Sequence, residues 1–216
     1  MEQETVPQTV LSEPAWEKSS AGIVARYFAT IKGMIPRCDF FFEKFDPVGN
    51  GAFSATTFLA IGSFFAALAH TLLAIFVLPR FGIEVCQGIA QNVPLHIAVG
   101  TIGLTIAILI ACVISAAIQH LLLFGNRFSF VTTYRVAAYS FGVAVIFSII
   151  PLYGLLLTGF LGYVYQIYGL TQLQKVTGNR ACFAVLLIPI VLILTFTLWY
   201  NSLLPLPGLG FRPIPE

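Results

Sequence analysis

The 216-residue chain is 58% hydrophobic and only 9% charged, where an ordinary soluble domain carries roughly 25% charged residues. That composition excludes an ordinary soluble fold, and a formal net charge of +2 is too slight to imply nucleic acid as a partner. Four runs, residues 47–79, 85–126, 136–174 and 181–211, contain no Asp, Glu, Lys or Arg; each exceeds the about 20 apolar residues that cross a bilayer, so the sequence predicts an all-α, polytopic integral membrane protein.

Residues 1–18 are polar, contain Pro7 and Pro14 and show no period, which predicts a disordered tail. Residues 19–46 form the next unit. Ile23, Val24, Tyr27, Phe28, Ile31 and Ile35 recur at helical spacing, with Ser19 or Ser20 as the N-cap, and predict an amphipathic helix lying on the bilayer surface or against the ends of the spans. Pro36 stops it, and Phe40-Phe41-Phe42 with Lys44 suits the headgroup level. The first 51 residues hold seven acidic and five basic side chains and no apolar stretch of signal-peptide type, so the first span is expected to remain in the membrane.

The membrane domain is predicted over residues 47–200. Its first span runs from about Ala52 to Leu78, between the Asp46–Gly51 breaker and Pro79-Arg80. Val85–His96 reads as a polar loop leading to a second span at about Ile97–Phe124. The third run would be about 58 Å long as one helix at 1.5 Å per residue, twice the hydrocarbon core, and tilt does not absorb that excess. It is expected to fold back at Pro151 and Gly154, giving short helices at about Arg135–Ile150 and Tyr153–Leu170. A fifth span, about Ala181–Tyr200, precedes a Pro-rich tail over residues 201–216. With five spans and the N-terminus inside, nine Lys and Arg lie on the cytoplasmic side and two, Arg80 and Arg212, on the other, as the positive-inside rule requires.

Ionisable groups inside a membrane are where function is first sought, and here they are few: His70 in the first span, with Gln119 and His120 toward the cytoplasmic end of the second and Gln166 in the fourth. This inventory points away from catalysis, and no cofactor or metal is implied. Cys38, Cys86, Cys112 and Cys182 are scattered, without CxxC spacing. The pairs Gly62 and Ala66, Ala111 and Ser115, and Thr158 and Gly162 are small-xxx-small motifs, which glue a bundle or join copies into a homo-oligomer. Tyr163, Tyr165 and Tyr168, close to Gly159, Gly162 and Gly169, are candidate contacts for a lipid or a partner helix. Arg127 and Arg135, with Lys175 and Arg180, are candidate contacts for anionic headgroups or for a protein on the cytoplasmic face.

The stretch from His120 to Tyr139, including Thr133-Tyr134-Arg135-Val136-Ala137-Ala138-Tyr139, resembles the Yip family of membrane proteins. So do Ile150-Pro151 with Gly154, Tyr168-Gly169-Leu170, and Gly178-Asn179-Arg180-Ala181. The likeness reaches back to Ile35-Pro36 and Phe40-Phe41-Phe42 and covers about residues 25–200. It implies a five-span, N-terminus-inside domain. Eukaryotic members are associated with Rab-type GTPases and vesicle trafficking. The N-terminal region of about 50 residues is short for a eukaryotic member, no D-L-Y-G-P type segment precedes the first span, and Gly125-Asn126 stands where many relatives have a glycine pair. The resemblance therefore implies a prokaryotic member in a bacterial cytoplasmic membrane, acting as a non-enzymatic adaptor or organiser. A small-solute or lipid transporter or channel is the alternative.

Overall fold

The computed structural model describes residues 16–17, 22–43, 45–46, 51–81, 92–123, 128–150 and 153–203. Every regular element among them is helical. Two short helices, α1 (Ile23–Met34) and α2 (Cys38–Glu43), precede five long ones: α3 (Ala52–Leu72), α4 (Val93–Leu122), α5 (Phe130–Ala144), α6 (Gly154–Leu173) and α7 (Gly178–Leu203). Four segments are long and apolar enough to cross a membrane: Ala52–Val77, Val93–Leu122, Phe130–Ile149 and Gly178–Trp199. The 20-residue α6 does not rank with them, because Gln166, Gln172 and three tyrosines dilute its apolar content.

Local chemistry sets the helix ends. Asn92 caps α4 by accepting from the Leu95 N–H, and Pro94 occupies its first turn, a position where a missing N–H does no harm. This start lies four residues before the expected Ile97. The third charge-free run is indeed two helices. α5 tightens into a 3-10 turn over Val145–Ile149, and Ile150 is extended (φ −71°, ψ 118°), the conformation that a following proline imposes. α6 then returns antiparallel to α5: the Thr158 hydroxyl donates to the Ala144 carbonyl, and Gln174 donates to Thr133. α5 begins at Phe130 rather than Arg135, which draws Arg135 inside the helix. Pro151, Lys44 and Arg127 lie outside the described residues, as do 1–15, 82–91 and 204–216.

The helices share one packed end, where α3, α5 and α7 begin and α4 and α6 finish. α5 is the axis: it packs on α3, α4 and α6, and 12 of its 15 residues are buried. α1 starts after Gly22 rather than after Ser19 or Ser20, and buries Tyr27, Thr30, Ile31 and Met34 while Ile23, Val24, Phe28 and Ile35 stay exposed. It thus packs on the spans with one face and keeps a second apolar face outward. Phe41 and Phe42 were expected at headgroup level; instead they are buried in the core, because α2 packs against α6. Away from the packed end α4 and α7 are the bare helices. Ile102, Ile106, Ile110 and Ile114 of α4 are exposed, as is every residue of α7 from Ile190 to Trp199.

The α5–α6 turn is closed by Gly154. A Cβ there would lie 2.5 Å from the Phe147 carbonyl oxygen and 2.7 Å from that of Ser148, and backbone cannot rotate aside as a side chain can. Gly154→Ala is therefore expected to destabilise the purified protein by about 1–3 kcal/mol, the usual range for overpacking. Gly103→Ala, with nothing within 4 Å, leaves the thermal midpoint in detergent unchanged or slightly raised.

Candidate functional site

Arg135 is the one arginine that the described structure takes almost wholly out of water, at 1% exposure. A buried guanidinium needs a partner and hydrogen bonds to its remaining donors, and both come from the chain N-terminal to α3. Nη2 donates to both carboxylate oxygens of Glu17 at 3.0 Å, and Nη1 donates to the Asp46 carbonyl at 2.7 Å. The guanidinium carbon stands 4.7 Å from the centre of the Phe45 ring, within cation–π range. One turn along α5, Tyr139 presents its hydroxyl on the same face and donates to Glu17 Oε1 at 2.9 Å.

The neighbouring Trp16 fixes the segment. Its indole N–H donates to the Ser54 carbonyl at 2.6 Å, and its ring meets Phe58 and Tyr27 edge-on. Arg26 of α1 stacks on that ring at 5.2 Å and donates to the Trp16 carbonyl. Tyr139 continues the aromatic wall, with Phe45 and Phe58 each 5.2 Å away. Gly51 leaves the space for the ion pair: a Cβ there would lie 2.5 Å from Glu17 Oε1 and 2.7 Å from Arg135 Nε. Trp16 and Glu17 fall in the stretch expected to be disordered, and here they are packed into the bundle.

A second polar cluster lies between α4, α5 and α6. Gln119 and Gln166 are both fully buried. Gln119 Nε2 donates to Gln166 Oε1 and to Ser115 Oγ, and Gln119 Oε1 and Gln166 Nε2 are buried without a hydrogen-bond partner among the described residues. Nearby, Thr133 meets His120 Nδ1 at 3.0 Å and accepts from Gln174 Nε2 at 2.8 Å, and Gln174 Oε1 accepts from the Phe128 N–H. Gln119 is thus tied inside the bundle, and His120 is bonded to Thr133 beside it.

The other sequence candidates separate. Tyr163, Tyr165 and Tyr168 do not line one groove: Tyr165 is buried, Tyr163 is half-buried edge-on to Phe141, and Tyr168 is 47% exposed. Their spacing of two and three residues spreads them around α6. Arg135 does not face headgroups, since Glu17 and Asp46 enclose it. Gly62 and Gly162 act as helix contacts, Gly62 below Tyr27 and Gly142, and Gly162 against Phe141, whereas Ala111 is exposed. His70 Nε2 is buried without a hydrogen-bond partner among the described residues. Among the described residues no three His, Cys, Asp or Glu gather into a metal site. Glu17 was missed because it lies in a polar, aperiodic tail; the available signal was Arg135 itself, whose charge calls for a carboxylate once it is placed inside a helix.

Comparison of the chain with protein-family models, curated proteins and solved structures finds no match.

Two substitution series follow from this geometry. Glu17→Ala strands the Arg135 charge at the packed end and is expected to cost about 3–5 kcal/mol, read as a lower unfolding midpoint. Gln119→Leu leaves Gln166 without its donor and costs about 1–3 kcal/mol, whereas the double variant Gln119→Leu/Gln166→Leu recovers part of that loss, since removing both partners is milder than removing one. A double-mutant cycle on thermal unfolding measures that coupling.

Proposed function

We propose that the chain is a five-span member of the Yip type, N-terminus inside, acting as a non-enzymatic membrane adaptor or organiser through its packed, cytoplasmic end. The observation that carries this reading is the one-sided build of the bundle. Its ion pair, most of its inter-helix polar bonds and its N-terminal helices gather at one end, while the outer halves of α4 and α7 present a mostly apolar surface. Such an arrangement suits contact at one membrane face better than a polar path across the bilayer. α6 serves as the fifth span: its 20 residues reach about 30 Å at 1.5 Å per residue, the thickness of the core. It runs antiparallel to α5, and the count of nine Lys and Arg against two supports a cytoplasmic packed end. The resemblance in the Thr133–Tyr139 stretch and its departures from eukaryotic members support a bacterial cytoplasmic membrane. Lipid, a protein on the cytoplasmic face and a second copy of the chain are the partners this reading allows.

The transporter reading is kept by one observation, the unpaired Gln119 Oε1 and Gln166 Nε2 inside the bundle. Topology separates the two. Single cysteines are placed at position 20, in the 172–179 loop and at position 212, with Cys38, Cys86, Cys112 and Cys182 replaced, and a membrane-impermeant reagent is applied to intact cells. The adaptor reading expects protection of the first two sites and labelling of the third. Labelling of the loop with protection of position 212 removes the fifth span and puts the transporter first. In cells, photo-crosslinkers at the exposed Lys175 are expected to give protein adducts that a crosslinker at Leu95 does not. Equal patterns at both sites would count against action through the packed end.

A further inference from the structure

Glu17 and Trp16 are held as a peptide ligand is held, by side-chain anchors and with separate pockets for each. The carboxylate pocket is built from Arg135 Nη2, the Tyr139 hydroxyl and the space left by Gly51. The aromatic slot is built from Tyr27, Phe58 and the Ser54 carbonyl, with Arg26 over the ring. All the residues that form these pockets belong to α1, α3, α5 or their flanks, and stay in place by their own packing: Tyr27 on Phe58, Phe58 on Tyr139, Tyr139 on Phe45. Aromatic rings wall the pocket, and the Glu17 side chain keeps 12% of its surface exposed. Trp16 is 4% exposed, so the carboxylate end is the less covered half of the site.

We infer that the Arg135–Tyr139–Ser54 site is a receptor for a short protein segment in which an aromatic residue precedes an acidic one, occupied in cis by Trp16–Glu17 and open to the same chemistry from a partner. The inference rests on the adaptor reading and names the chemistry by which such a partner docks. A lipid phosphate matches Arg135 but has neither a ring for the slot between Tyr27 and Phe58 nor a donor placed for Ser54, so the site fits a peptide better than a headgroup. Trp16–Glu17 competes at the high effective concentration that tethering supplies, on the order of millimolar. The tethered segment is thereby an autoinhibitory occupant, and a partner gains the site only when it binds well enough to displace it.

The test uses the full chain in nanodiscs and a fluorescein-labelled peptide copying residues 10–22. Against the double variant Trp16→Ala/Glu17→Ala, fluorescence anisotropy is expected to show saturable binding, about tenfold or more tighter than to the wild-type chain. A peptide with glutamine in place of its glutamate, or alanine in place of its tryptophan, loses about tenfold, as does Gly51→Ala placed in the double variant, because its Cβ enters the carboxylate's place. Equal binding to wild type and double variant, indifference to the peptide's Trp and Glu, or no binding to a double variant that keeps a cooperative melt each overturns the proposal. Should the double variant fail to fold, a second measurement decides. The chain has two tryptophans, so Trp199→Phe leaves Trp16 as its only indole emitter, and an unlabelled peptide with phenylalanine in place of its own tryptophan, displacing Trp16, is expected to produce a saturable red shift. No shift up to millimolar peptide, or a shift driven by phosphatidylserine content and not by peptide, overturns the peptide assignment, the latter in favour of a headgroup. These readouts do not depend on topology or on crosslinking in cells, so the receptor site and the adaptor reading fail separately.

Discussion

The buried charge of Arg135 is the constraint around which the packed end is arranged. Removing a guanidinium from water costs several kcal/mol even after relaxation, and the structure offsets that cost with groups distant in sequence. Glu17 comes from 118 residues away and the Asp46 carbonyl from 89. Phe45 supplies a π face, and Gly51 yields the space that a side chain would have filled. Drawing these groups to one point also determines where α1 and α2 lie, because Trp16 is tied to Arg26 of α1 and Tyr139 to the phenylalanines that follow α1. A single arginine on the central helix thereby organises some thirty residues N-terminal to the first long helix.

The contrast between the two ends follows from what drives helices together in an apolar solvent. Lipid tails are as apolar as leucine, so burying leucine between spans gains little, and close backbone approach and polar bonds supply the association. Both are found at the packed end: Gly169 against Val136 and Phe42, and the amide and hydroxyl bonds of Gln119, Gln166, Gln174 and Thr133. The outer half of α7 is built from Ile190, Val191, Leu192, Ile193 and Leu194 and has no such device. It is exposed there on all sides. The distribution of small and polar residues, rather than of hydrophobic ones, decides which half of the bundle is packed.

This explains what the sequence made legible and what it hid. Length and the absence of charge sufficed to locate the long helices, because crossing an apolar layer is a one-dimensional requirement. The fold-back of the third run was legible for the same reason, with Pro151 marking the place. Arg135 was misread because a charge was taken as the edge of a span. Starting α5 at Phe130 turns the same residue into an interior group, and nothing local to Arg135 distinguishes the two cases until its partner is known. Glu17 could not be found by periodicity, since the segment that carries it has none. The tyrosines of α6 were grouped by nearness in sequence, and only their angular spread shows that Tyr163, Tyr165 and Tyr168 face different surroundings.

The residues that carry the Yip resemblance bear on which part of the chain can speak about function. Thr133, Arg135 and Tyr139 hold Gln174, Glu17 and the aromatic wall, and Gly169 admits Val136 and Phe42 at close range. His120, also in the resembling stretch, is bonded to Thr133. These are the parts that build the packed end, so a shared pattern at these positions is first a statement about how the bundle is held together. Trp16 and Glu17 lie outside the resembling stretch of about residues 25–200, yet they occupy its central arginine. The framework presents a charged, aromatic pocket, and the chain's own N-terminal segment supplies what fills it.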